Sequence, residues 1–215
     1  MRDILHHVAP SVSGRKGDAQ EIILAEICPI YMETLREFEI GTSLRIAHFT
    51  AQIAHESDGF CTTMEYASGA AYEGNRRLGN TAPGDGRRFK GRGLIQLTGR
   101  YNYARAGDDL GLDLLGDPDL AAQPVLSLRI ACLYWRWRDL NRWADVDNLR
   151  AVTRKINGGY NGLADRQRYL NKAKEWLGAQ PRDHLTWTSA AVERMTFIPL
   201  PKPDDWWDRM RRWFR

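Results

Sequence analysis

The stretch from Thr42 to Ser57 constrains the fold of this 215-residue chain more than any other. Ile46, Phe49 and Ile53 recur at helical spacing, and Ala47, Ala51 and Ala54 keep the adjoining faces small. Gly41 breaks the chain ahead of it, and Thr42 or Ser43 can cap the first turn. A second stripe, His48, Gln52, His55 and Glu56, runs down the same helix at i, i+4, i+7 and i+8. On an otherwise apolar helix such a stripe ordinarily marks a solvated face.

Other helical patterns surround this one. Asp18 with Glu21 reads as a capping box ahead of Ile22, Ile23 and Leu24, and Pro29 should end that helix. A further helix is expected from Ile30 to about Phe38. Leu128, Ala131, Cys132 and Trp135 share a face within Val125–Arg138, and helices recur near Leu149–Ile156 and Asp165–Leu177. Strand-like alternation is weak throughout, so the body is predicted to be mainly α-helical. Between Ser68 and Arg92 the periodicity stops. Gly69, Gly74, Gly79, Gly84, Gly86 and Gly91, with Pro83, predict a long ordered loop or short hairpins, of a length that is commonly functional.

Past Gly178 the character shifts. Four of the nine prolines (Pro181, Pro199, Pro201 and Pro203) lie beyond it, and the chain ends in DDWWDRMRRWFR. Residues 1–178 are therefore read as a catalytic domain, and 179–215 as a stiff linker with a cationic amphipathic tail. Such a tail could touch a membrane surface, although docking of its aromatics on the domain, or simple solvation, is the commoner arrangement.

Composition narrows the class. Hydrophobic residues make up 43% and charged residues 27%, as in an ordinary globular domain. No apolar run reaches the roughly 18 residues of a transmembrane helix. A net charge of +4 suits an anionic partner without choosing one. Cys28, Cys61 and Cys132 have neither CxxC nor Cys/His spacing, so they are expected in the core as small apolar residues, not in a zinc site. The opening MRDILHHVAPS carries Asp3 and two histidines where a secretory signal is apolar, which predicts synthesis in a reducing cytoplasm.

The chemistry centres on two acids. Glu56 closes the apolar helix and Glu65 follows nine residues later; a continuous helix would separate them by roughly 13 Å. Gly59 and the Thr62–Thr63 pair permit a break that folds the second acid back across a cleft. Carboxylates about 6.5–9.5 Å apart leave room for a water, as in an inverting glycosidase. A glutamate pair at this spacing is more often two surface charges. His55-Glu56 begins like HExxH, but Gly59 stands where the second histidine is needed, and no third ligand joins His48 and His55. There is no GxSxG elbow, and GDGRRFKGRG lacks a P-loop ending. Metal, serine-hydrolase and nucleotide chemistry are thus disfavoured, and no cofactor is expected.

HESDGF, MEYASG, YEGNRRLGNTAPGDGRRFKGRGLIQLTGRYNY and INGGYNGLADRQRYL, in that order, resemble glycoside hydrolase family 19 over roughly residues 40–177. That family includes plant-type chitinases and, closer in wording, phage and prophage endolysins. The resemblance implies a lysozyme-like, two-lobed helical fold with a cleft floored by the His48–Glu56 helix and the Arg92–Tyr103 segment. It implies Glu56 as general acid, Glu65 as general base with Glu73 as its rival, and Thr98 as a hydroxyl holding the attacking water. Gln96, Tyr101, Asn102 and Asn157 match sugar-contacting positions, and Arg166 a cleft arginine that tunes the acids. His55 and Tyr72 complete the expected binding set, since planar amides, hydroxyls and aromatic faces are what sugars require. Each of these side chains could instead anchor a loop or form a salt bridge.

The expectation is an endolysin-type enzyme that cuts the β-1,4 bond of peptidoglycan with inversion. Such a chain would be monomeric, with no nucleic-acid partner, reaching the periplasmic wall only after release from the host cytoplasm. A chitinase, a lytic transglycosylase and a silent glycan-binding module are the alternatives.

Overall fold

The computed structural model describes residues 3–179, so the expected linker and tail lie outside the described residues. Asp3 caps α1 (Ile4–Val8), its carboxylate accepting from the His6 amide at 3.0 Å. α2 (Gly14–Ile27) follows, and Pro29 sits in a single 3₁₀ turn, Cys28–Ile30, that leads into α3 (Tyr31–Glu37). Next comes α4 (Ser43–Glu56), whose cap is Thr42: its hydroxyl accepts from the Arg45 amide at 3.3 Å. α5 (Asp85–Arg88) is a single short helix inside the glycine-rich segment, and α6 (Arg100–Leu110) follows it. α7 (Pro124–Trp137), α8 (Asn141–Asp145), α9 (Leu149–Asn157) and α10 (Leu163–Ala179) complete the described chain. The fold is mainly α, as predicted. Among the described residues no helix is long and apolar enough to cross a membrane.

Two local expectations are corrected. α2 begins at Gly14, so Asp18 lies inside the helix instead of capping it. Ser13 takes the extended cap position, and Gly17 packs so close to the Val12 carbonyl that a Cβ there would stand 2.8 Å from its oxygen. Cys61 and Cys132 are buried as expected, but Cys28 is only half-buried.

α4 is the central strut. Phe49 meets the Trp135 ring edge-on at 5.4 Å, and Tyr31 donates to Thr50 Oγ1, which itself donates to the Ile46 carbonyl. Burying Ile46, Phe49 and Ile53 stabilises the fold by roughly 1.5–3 kcal/mol each. The polar stripe is not solvated. His48 and Gln52 are 0% exposed: α10 packs along α4 and its Arg166 meets Gln52, while Asp147, in the loop between α8 and α9, meets His48 at 2.8 Å. Periodicity separates the faces of a helix but cannot say what covers them.

The segment between α4 and α6 folds without a regular strand among the described residues. Isolated antiparallel bridges pair Met64 with Arg92 and Arg92 with Leu97. The Glu65 amide donates to the Gly91 carbonyl and the Gly93 amide to the Thr63 carbonyl. Asp85, almost fully buried, ties this segment to α6: it accepts from the Thr81 and Ala82 amides and forms a two-point ion pair with Arg100. The Arg100 hydrogen bonds hold the Asp85 carboxyl down at about 2.

Candidate active site

The end of α4 is built to turn sharply. Ser57 Oγ donates to the Ile53 carbonyl and accepts from the Phe60 amide, while the Gly59 amide closes on Ala54. Asp58, Gly59 and Phe60 all take positive φ (52°, 71° and 67°), a conformation that reverses the chain within three residues. Gly59 is required twice over, since a Cβ there would stand 2.5 Å from the Pro10 ring. Thr62–Tyr66 consequently returns alongside Glu56.

A hollow of about 250 Å³ lies at this reversal. His55 and Glu56 contribute from α4, Glu65 and Tyr66 from the returning segment, Gln96 from the bridged loop, and Asp165 from α10. The break near Gly59 therefore does bring both acids to one cleft. Its second wall is α10; the Arg92–Tyr103 segment supplies only Gln96 to the lining.

The two acids are seated differently. Glu56, with 16% of its side chain exposed, accepts through Oε1 from Arg166 Nη2 at 2.5 Å. Arg166 is 0% exposed; its Nη1 reaches Gln52 Oε1 at 2.5 Å and its Nε the Asn161 carbonyl at 3.3 Å. Arg166, expected to tune the acids, thus meets Glu56 directly. Glu65 is held by neutral donors. Tyr72 Oη donates to Oε1 and the Gly91 amide to Oε2, both at 2.9 Å. Burial, then the bond to Glu65 and its charge, push the Tyr72 phenol up, which keeps the donated proton in place. A Cβ on Gly91 would meet Gln96 Oε1 at 2.8 Å and Glu65 Oε2 at 3.1 Å, so this glycine lets the Glu65 carboxylate and the backbone amide approach each other.

The remaining sequence candidates divide. His55 lines the hollow, bonded through Nδ1 to Asp165 at 2.6 Å and with its ring against Gly162. Gln96 lines it too, at a φ of 54°, its amide donating to the Gly93 carbonyl at 2.9 Å. Thr98 and Asn102 stand behind: the Thr98 hydroxyl donates to the Gln96 carbonyl, and the Asn102 amide donates to the Thr98 carbonyl. Tyr101 is exposed and packs beside Gly79, away from the acids' lining. Asn157 lies in a different hollow. The carboxylate of Glu73 is engaged by the Gly84 and Gly86 amides at 2.7 and 2.8 Å, so it clamps its own loop.

Asp165 and Tyr169, both in the lining, went unnoticed in the sequence; only the helical step from Arg166 could have signalled them. Asp3, His6 and Cys28 also bring ligand atoms within 4.8 Å of one another, although their sequence spacing signals no metal. His6 Nδ1 and the Asp3 carboxylate are already bonded at 2.9 Å.

A family profile described as chitinase class I matches residues 35–148, a span that includes Glu56, Glu65 and Gln96. The chain belongs to glycoside hydrolase family 19. Within the family it is 42% identical to endochitinase At2g43620 of Arabidopsis thaliana over 172 residues, covering 77% of this chain and 57% of that protein. A Haemophilus influenzae glycosyl hydrolase family 19 domain-containing protein is 35% identical over 151 residues, 56% of this chain and 74% of that one. The chain spans about half the length of the Arabidopsis endochitinases it matches. Among solved family 19 structures, the class IV chitinase of Zea mays superposes with a TM-score of 0.58 at 26% identity, over 86% of this chain and 94% of that one. Chitinase C of Streptomyces griseus HUT6037 gives 0.58 at 22% identity over 81% and 90%, a likeness of fold alone. The lysozyme-like helical fold and a chitinase-like glycoside hydrolase character follow; Asn157 and Arg166 lie beyond the profile's match.

Proposed function

We propose that the protein hydrolyses β-1,4 bonds of an N-acetylglucosamine-containing glycan with inversion, Glu56 acting as general acid and Glu65 as general base. The observation that carries this reading is the pair of glutamates in one hollow, one seated on a guanidinium and one on neutral donors. Protonated Glu56 gives its proton to the leaving oxygen and becomes a carboxylate as the bond breaks. Arg166, already bonded to Oε1, stabilises that developing charge in a partly dry setting. Glu65 takes a proton from a water on the opposite side of the sugar, and the water oxygen bonds to the anomeric carbon. Tyr72 and Gly91 fix the carboxylate plane for this. Gln96 offers its amide to the sugar or the water, with Thr98 acting as a positioning residue through the Gln96 carbonyl. His55, locked by Asp165, sits ready to bond a sugar hydroxyl.

Chitin-type oligomers are one substrate, in keeping with the plant and Streptomyces relatives named chitinases. Peptidoglycan, the endolysin-like reading, is favoured by a specific observation, a row of unpaired cations developed in the next subsection. The test compares chitohexaose with purified sacculi and reads the anomer formed by NMR. Glu56→Gln and Glu65→Gln should each lower turnover by about 10²–10⁴-fold, with the α-anomer as first product of the unaltered chain. Glu73→Gln should retain turnover. Retention of turnover in Glu56→Gln, or a β-anomer, would overturn the reading.

A further inference from the structure

A second hollow, of about 850 Å³, opens on α9 and the loop after it. Arg138, Arg150, Arg154 and Lys155 line it, and no carboxylate does. All four are exposed, and none takes part in an ion pair among the described residues. Some surface cations are paired, Lys16 with Asp58, Arg45 with Asp145 and Lys174 with Asp147, whereas this groove gathers four without a carboxylate among its lining. Instead of carboxylates, the groove cations find rings. The Arg150 guanidinium lies 4.3 Å from the centre of the Tyr160 ring and that of Arg138 4.8 Å from Tyr134. Stacking leaves the guanidinium edges, where the N–H donors are, open to a ligand.

The hollow adjoins the acids. Tyr134, under the Arg138 guanidinium and donating to the Ile156 carbonyl at 3.2 Å, lies close enough to feel the charge of Glu56. The loop after α9 forms a common wall. Asn157 at the end of α9 and Tyr160 of the loop line the cationic hollow, the loop's Asn161 carbonyl holds Arg166, and its Gly162 backs the His55 ring. A glycan bound across Glu56 and Glu65 would therefore have its neighbouring portion beside these cations. Neutral N-acetylglucosamine polymers can offer these four cations hydroxyl and carbonyl oxygens but no negative charge. A glycan with carboxylates on its lactyl and peptide substituents offers that charge as well.

We infer that this groove is an anionic subsite that selects peptidoglycan over chitin by binding its carboxylate substituents, mainly through Arg150 and Arg154. The inference rests on the reading of the acid pair, because it places those substituents next to a glycan held there. Binding separates the two, since it needs no turnover. In a Glu56→Gln background, adding Arg150→Gln and Arg154→Gln should lower retention on purified sacculi about tenfold and steepen no salt dependence; chitohexaose affinity should fall by a far smaller factor. Arg150→Lys with Arg154→Lys should restore most of the sacculus binding, which a loss of fold would not allow. Equal losses on both ligands, or undiminished retention on sacculi, would overturn the subsite. Cleavage by Glu56→Gln itself would instead overturn the acid pair and leave the binding comparison intact.

Discussion

Glu56 and Glu65 share a hollow but are held by different architectures. Glu56 closes a buried helix and leans on Arg166, a charge fully buried between α4 and α10. Glu65 rides on a loop and is held by a phenol and a backbone amide, neither carrying charge. Under the roles proposed above, with Glu56 as acid and Glu65 as base, the difference has a chemical use. A group that becomes negative as the bond breaks gains from a cation already in place. A group that must accept a proton gains from donors that orient it without opposing that proton.

Removing the charged seat should have the largest effect. Arg166→Met strands Gln52 and Glu56 and should destabilise the fold by about 3–5 kcal/mol, a fall in Tm of roughly 10 °C by calorimetry. An unchanged Tm would show that the ion pair is not what fastens α10 to α4. The neutral seat should fail differently. Gly91→Ala drives a Cβ into Gln96 and Glu65, and should cost roughly tenfold in turnover with little change in Tm. If Tm fell as far as in Arg166→Met, the two seats would not be mechanically distinct.

A smaller effect concerns acid. Asp85, held at about 2 when folded, lies below its ordinary value of 3.8. Its contribution is therefore complete above about pH 4 and is lost as the pH falls toward 2. Asp85 and Arg100 support Asn80, whose amide holds the Tyr72 carbonyl, so the Glu65 side of the cleft should loosen first in that window. Hydrogen exchange between pH 4 and pH 2 should show the 65–91 segment losing protection before α4; the reverse order would contradict the comparison.

How much of this was legible in the sequence follows the same division. α4, its Thr42 cap and the flanking helices were readable because helical spacing is a local property. The break after Ser57 was legible from Gly59. Burial of His48 and Gln52 was not, because their partners, Asp147 and Arg166, lie 99 and 114 residues further along the chain. Nor could spacing decide between Glu65 and Glu73. That depends on which carboxylate the backbone amides of Gly84 and Gly86 engage, and hence on how a segment without periodicity closes upon itself. Which of the two acids Arg166 would meet was not legible either, since one linear order fits both pairings.

The wall formed by Asn157, Tyr160 and Gly162 touches both hollows through a few consecutive residues. With no side chain at Gly162 to cushion it, the imidazole of His55 registers any displacement of that wall directly. The ring's NMR resonances are thus a built-in gauge: titrating a short anionic peptide into the far hollow should shift them while every glycosidic bond stays whole.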